Sequence, residues 1–220
     1  KAITFDLDGV YFPNGKANFI KALVNLGVAE DEAKRVFLKS DQMSQVYKNG
    51  KMTDEEFWTW AAEEWKLNKT PQELIDLLIA GYDVDQRVVE TVRKARANGY
   101  KTLICSNNFK AQIEGLQRKF GFLDDFDALA LSYEIGASKP SEAIFQELIK
   151  KAGVPAQTIV FADDNQENLS GAKNLGIATF LYEGFDKFIE QLKLLGVEIN
   201  PGRVECALLP LAALVEILRK

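Results

Sequence analysis

Ala2-Ile3-Thr4-Phe5-Asp6-Leu7-Asp8-Gly9-Val10 is the stretch on which the reading of this chain turns. A short apolar run ends in two carboxylates one residue apart, followed by glycine. The run reads as a buried strand. Asp6 and Asp8 then emerge at its carboxyl end, where open α/β sheets place their ligand crevice. Side chains two apart on an extended segment share a direction. Two anions held together repel unless a cation or a proton relieves them. One carboxylate as nucleophile, the other as proton donor, and a magnesium ion between protein and phosphate would use both.

Four more strand-like runs follow: Lys101–Cys105, Ala128–Leu131, Thr158–Ala162 and Ile177–Leu181. Amphipathic segments fill the gaps, at Val84–Asn98, Phe109–Phe120, Pro140–Ala152, Asn165–Leu175 and Phe185–Leu195, and each stops at a glycine. Glycine after the last helical turn is a strong stop signal. Strand–helix alternation of this kind predicts a parallel sheet with helices on both faces, an α/β doubly wound core.

One interval breaks the rhythm. Roughly Pro13 to Gly81 carries only helical signals, including two capping-box patterns, Thr53-Asp54-Glu55-Glu56 and Thr70-Pro71-Gln72-Glu73. The expected organisation is a core of residues 1–12 and 82–199 with a helical cap at 13–81, hinged at Tyr11–Gly15 and Ala80–Asp85. Phe57, Trp58, Trp60 and Trp65 have near-helical spacing and read as bundle core. Lys39, Lys48 and Lys51 read as solvated charge. Residues 200–220 fit this scheme poorly, being broken by Pro201-Gly202 and then almost wholly apolar.

Composition narrows the function. The 220 residues carry a net charge of −5 and no long basic run, which argues against nucleic acid or an anionic membrane as partner. No apolar stretch approaches the ~20 residues of a membrane span, and with the first strand starting at Ala2 no signal peptide is expected. Two cysteines, Cys105 and Cys206, make no disulfide framework, so a cytoplasmic setting is expected. Histidine is absent, which removes Ser-His-Asp and Cys-His hydrolysis and His-ligated zinc. Acid–base chemistry near neutral pH then falls to carboxylates, lysine, tyrosine, cysteine or a metal-bound water.

Three strand ends should meet in the crevice: Asp6/Asp8, Ser106/Asn107/Asn108 and Asp163/Asp164. Magnesium, a hard cation, suits Asp6 and one of Asp163 and Asp164, with a backbone carbonyl near Asp8 as a neutral ligand. Ser106 and Asn107 offer donors to phosphate oxygens. Pro140 can open a helix, which would put the Lys139 ammonium at its start, within reach of the anionic cluster.

The set Asp6-x-Asp8-Gly9-Val10, Ser106-Asn107, Lys139-Pro140 and Asp163-Asp164 resembles the haloacid dehalogenase-like superfamily, in order and in position relative to the strands, over residues 1–196. The resemblance implies a Rossmann-like core with a helical cap between the first two motifs. Phe161-Ala162-Asp163-Asp164 with Asn168, and Cys105-Ser106-Asn107-Asn108, look most like the branch holding sugar-phosphate phosphatases and the phosphatase domain of soluble epoxide hydrolases. On that resemblance, Asp6 attacks phosphorus and Asp8 protonates the leaving oxygen. Ser106, Asn107 and Lys139 hold the phosphoryl group. Asp164 binds magnesium directly, with Asp163 behind it. The expected substrate is a small phosphorylated metabolite, acted on by a monomer or a homodimer. A phosphomutase would share Asp6 and Asp8. A catalytically silent binding module on the same fold is the reading from another class.

Overall fold

The computed structural model describes residues 1–197. The tail at 200–220 and Cys206 lie outside the described residues. Five strands form one sheet: β1 Ala2–Phe5, β2 Lys101–Ser106, β3 Ala128–Leu131, β4 Ile159–Asp163 and β5 Ala178–Leu181. Their order is β3-β2-β1-β4-β5, every neighbouring pair parallel. β1 is therefore central, and the chain adds strands first on one side of it and then on the other. This is the doubly wound arrangement, whose crevice opens where the strand order reverses.

Period-two alternation splits the core. Ile3, Phe5, Ile104, Val160 and Ala162 face one way and pack on helices α5 (Gln86–Ala97) and α10 (Phe185–Leu194). Ala2, Leu103, Cys105, Ile159 and Phe161 face the other way, against α8 (Glu142–Ala152) and α9 (Ser170–Asn174). A strand buried on both faces is apolar along most of its length, and here the polar residues inside the runs are the small, buried Thr4 and Thr102. Each fully buried Phe or Leu contributes roughly 2–3 kcal/mol.

Between β1 and β2 the chain forms helices and no further strand of the sheet. α1 (Gly15–Asn25) and α2 (Glu30–Lys34) lead through wide π-type turns at Arg35–Lys39 and Gln42–Val46 to α3 (Asp54–Glu64) and α4 (Pro71–Ala80). Both capping boxes form. The Thr53 and Thr70 hydroxyls accept from the Glu56 and Glu73 amides, and those glutamates accept in turn from the threonine amides at 2.8 Å. Phe57, Trp58 and Trp65 are buried in the core of this bundle, as their spacing predicts.

Two helix starts differ from expectation. α8 begins at Glu142, not Pro140, because the Ser141 hydroxyl accepts from the Ala143 amide and so supplies the N-cap. Lys139, itself buried, accordingly precedes the helix in the connecting loop. The segment after Asp164 is a 3₁₀ turn, Gln166–Leu169, before α9, capped by the Asn165 side chain. Among the described residues no helix is long and apolar enough to cross a membrane.

Candidate active site

The carboxyl ends of β1, β2 and β4 bring the acidic residues together. Asp6, Asp163 and Asp164 each place a carboxylate oxygen within 4.8 Å of the others, a spacing able to hold a metal ion. The sheet parity explains this. Asp6 continues the face of Ala2, and Asp163 that of Ile159 and Phe161, so both turn toward the loop before α8.

Lys139 enters from that loop, with its side chain wholly buried. Its ammonium lies 3.0 Å from Asp6 Oδ1 and donates to Asp163 Oδ2 at 2.6 Å and to the Cys105 carbonyl at 2.9 Å. An ammonium has three donors, and all three are engaged. Its backbone is clamped in turn by Asn107, whose Oδ1 accepts from the Lys139 amide at 2.7 Å and whose Nδ2 donates to the Lys139 carbonyl at 3.0 Å. The Asn107 side chain thus orients the lysine. Ser106 is buried, and its Oγ has no hydrogen-bond partner.

The three clustered carboxylates are engaged to different degrees. Asp163 is saturated, since Oδ1 accepts from the Asn165 amide at 2.8 Å and from Asn168 Nδ2 at 2.9 Å while Oδ2 meets Lys139. Asp6 Oδ1 accepts from the Leu7 amide at 2.8 Å as well as pairing with Lys139, and Oδ2 carries neither bond. Asp164 is exposed at the mouth of the site, with Gly9 directly against its carboxylate. A Cβ on Gly9 would overlap that carboxylate, and φ of +84° disfavours any other residue there. Asp6 and Asp164 therefore have the freest oxygens.

Asp8 stands apart from the metal-type cluster. The chain turns after Phe5, closing Phe12 N–H onto the Leu7 carbonyl and Gly9 N–H onto the Phe12 carbonyl. The turn sends the Asp8 carboxylate toward the helical insert. There Tyr82 Oη donates to Oδ1 at 2.8 Å, and Lys16 Nζ pairs with Oδ2 at 3.0 Å.

The charges push apart the two carboxyls on β1. Burial raises the Asp6 pKa to about 6, despite Lys139, and the Asp163 and Asp8 charges add to the rise. Burial also acts on Asp8, but Lys16 and Lys48 outweigh it and hold that carboxyl below the ordinary range. Burial lowers Lys139 as well, yet Asp6 and Asp163 carry it well above the usual lysine value.

Three contributors escape sequence reasoning. Lys16, Tyr82 and Gln112 join this site from α1, the connection after α4, and α6 (Lys110–Phe120). No motif marks them. Lys48 also departs from its expectation. It is half-buried, within the field of Asp8 and Asp6, and burial and Lys16 lower its pKa to about 7. Lys39 and Lys51 are exposed, as predicted.

A doubly wound parallel sheet with an acidic centre at its switch point and a helical insert after β1 is the arrangement of a ligand-binding α/β domain. The chain belongs to the haloacid dehalogenase-like hydrolase family, whose profile matches residues 1–176. It is 30% identical over 220 aligned positions to an uncharacterised protein of Dictyostelium discoideum, covering 83% of this chain and 91% of the other. It is 25% identical to the D-ribitol-5-phosphate phosphatase of Bacteroides thetaiotaomicron, covering 89% and 98%. A haloacid dehalogenase family enzyme from the same bacterium, solved as a mutant in complex with magnesium and inorganic phosphate, shares the fold. Its TM-score is 0.71 at 22% identity, covering 86% of this chain and 98% of that one.

Proposed function

We infer that this protein is a magnesium-dependent hydrolase of small-metabolite phosphomonoesters, acting through an aspartyl-phosphate on Asp6. The observation that carries the reading is the convergence of Asp6, Asp163 and Asp164 within 4.8 Å, beside a separately held Asp8. The name of the ribitol-phosphate phosphatase relative supports it.

The donor set is all oxygen and anionic, which fits magnesium. Asp6 and Asp164 would hold the ion directly, and Asp163, already saturated, would act through water or by fixing its neighbours. When bound, magnesium supplies positive charge to the phosphoryl oxygens. The chain's own residues do the rest. Asp6 Oδ2 attacks phosphorus. Asp8 gives its proton to the departing oxygen, then takes one from the water that opens the acyl phosphate. The unpartnered Ser106 hydroxyl donates to a phosphoryl oxygen. Lys139 steadies Asp6 and offsets its charge, and Asn107 holds Lys139. Catalysis is then chiefly positioning and charge neutralisation.

Residues 13–81 act as a cap over this site, and 1–12 with the described residues from 82 onward form the core. Lys16 and Lys48 bring cap charge to the substrate side, where they suit a phosphate dianion. A panel of phosphate esters, assayed with and without magnesium on wild type and on Asp6→Asn, tests the reading. Magnesium-dependent phosphate release by wild type alone is expected. Equal activity in Asp6→Asn, or silence of wild type across a broad panel, would overturn it.

A further inference from the structure

Two side chains from distant parts of the chain hold Asp8. Tyr82 Oη donates to Asp8 Oδ1 at 2.8 Å. Gln112 Nε2 reaches the same oxygen at 3.2 Å, Oδ2 at 3.3 Å and the Tyr82 hydroxyl oxygen at 2.7 Å. Each oxygen thus has two partners: Oδ1 the buried Tyr82 hydroxyl and Gln112, Oδ2 Gln112 and the part-exposed Lys16. The phenol remains protonated, because burial and the Asp8 charge push its ionisation well up.

The arrangement is rigid. Tyr82 and Gln112 are both fully buried. The Tyr82 ring stands edge-on to Phe12 at 5.7 Å and fills the space left by Gly15, where a Cβ would overlap it. Its backbone is tied down by Lys119 Nζ, which donates to the carbonyls of Ile79 at 3.0 Å, Ala80 at 3.1 Å and Tyr82 at 2.7 Å. Lys16, by contrast, is a third exposed.

Packing alone does not account for a glutamine here. Gln112 Oε1 is buried without a partner, and an orphaned amide oxygen costs about 1–3 kcal/mol. An apolar residue on this face of α6 would avoid that cost. The amide is retained where its N–H groups meet Asp8.

We propose that Tyr82 and Gln112 are positioning residues for Asp8: the Tyr82 hydroxyl fixes Oδ1, Gln112 spans both oxygens, and Oδ2, on the side of the part-exposed Lys16, is the oxygen that gives and takes the proton. This deepens the phosphomonoesterase reading and rests on it. In the first step the Asp6–phosphorus bond forms as the phosphorus–alcohol bond breaks, and the proton on Asp8 Oδ2 passes to the departing oxygen. In the second step water oxygen bonds phosphorus, the Asp6–phosphorus bond breaks, and Oδ2 recovers a proton from that water.

A leaving group that departs as a stable anion needs no proton, whereas an alkoxide does. The test compares kcat/KM for an alkyl phosphate with that for 4-nitrophenyl phosphate, since kcat/KM covers only steps through departure of the alcohol. Tyr82→Phe is expected to lower the alkyl value on the order of 10–100-fold and the nitrophenyl value by less than about threefold. Gln112→Met, which keeps the volume, serves as a second variant and should show the same selectivity. Parallel losses on both esters, or no loss on either, would overturn the inference while leaving the phosphatase reading intact. A wild type inactive on both esters would remove that reading and this inference with it.

Discussion

Lys139 Nζ lies 2.6 Å from Asp163 Oδ2, and neither side chain is exposed to solvent. The pair joins the loop before α8 to the end of β4, with Asp6 Oδ1 3.0 Å from the same ammonium. Two buried carboxylates therefore share one cation. Removing one partner of a buried ion pair leaves an uncompensated charge, at about 3–5 kcal/mol. Lys139→Met should lower the unfolding free energy by that amount in urea titrations and abolish turnover. Adding Asp163→Asn to it should recover part of the stability and none of the activity.

The contact of Gly9 with the Asp164 carboxylate yields a second expectation. Gly9→Ala puts a methyl group where that carboxylate sits and strains a backbone at φ +84°. Displacing a ligand this way should weaken magnesium binding about 10–100-fold, measured by titration calorimetry. The stability cost should be about 1–3 kcal/mol.

The raised Asp6 pKa makes stability depend on pH. Folding lifts this carboxyl from the ordinary 3.8 to about 6, so the folded state binds the proton more tightly than the unfolded chain. That contribution is present at low pH and is lost as pH rises through about 4 to 6. Asp6→Asn cannot ionise and escapes the loss. In EDTA its stability advantage over wild type should grow across that window to about 2–3 kcal/mol. Magnesium should reverse the order, because only wild type offers the ion a third carboxylate. A pH-independent difference in EDTA would contradict this assignment.

Lys48 supplies a prediction about the cap. Its ammonium sits half-buried in the field of Asp6 and Asp8. Lys48→Gln should weaken competitive inhibition by inorganic phosphate about tenfold, and Lys48→Arg should retain it. Unchanged inhibition in Lys48→Gln would assign the side chain to structure alone.

Much of this was legible in the sequence because local rules and global fold agree. All five strands begin and end within one residue of their apolar runs, since a strand sandwiched between helix layers is apolar along most of its length. Thr53 and Thr70 announce α3 and α4 through a three-residue spacing that only a capping box exploits. Asp6, Ser106, Asp163 and Asp164 declare themselves as polar residues where apolar runs stop, and Lys139 through the proline that follows it. Tyr82 and Gln112 do not. Gln112 meets Asp8 across 104 residues of chain, and its place on α6 resembles any helical glutamine. Lys48 reads as surface charge until the chain folds it over the carboxylates. Long-range side-chain pairing leaves no local trace, so these contributors needed coordinates.

Reductive trapping tests the central claim most directly. In Asp8→Asn the second step lacks its base, so an acyl phosphate formed from 4-nitrophenyl phosphate should accumulate. Borohydride reduces an acyl phosphate, and peptide mass spectrometry locates the modified residue. The account predicts substrate- and magnesium-dependent modification confined to Asp6. Release of nitrophenolate with Asp6 unmodified, or modification at another carboxylate, would contradict it.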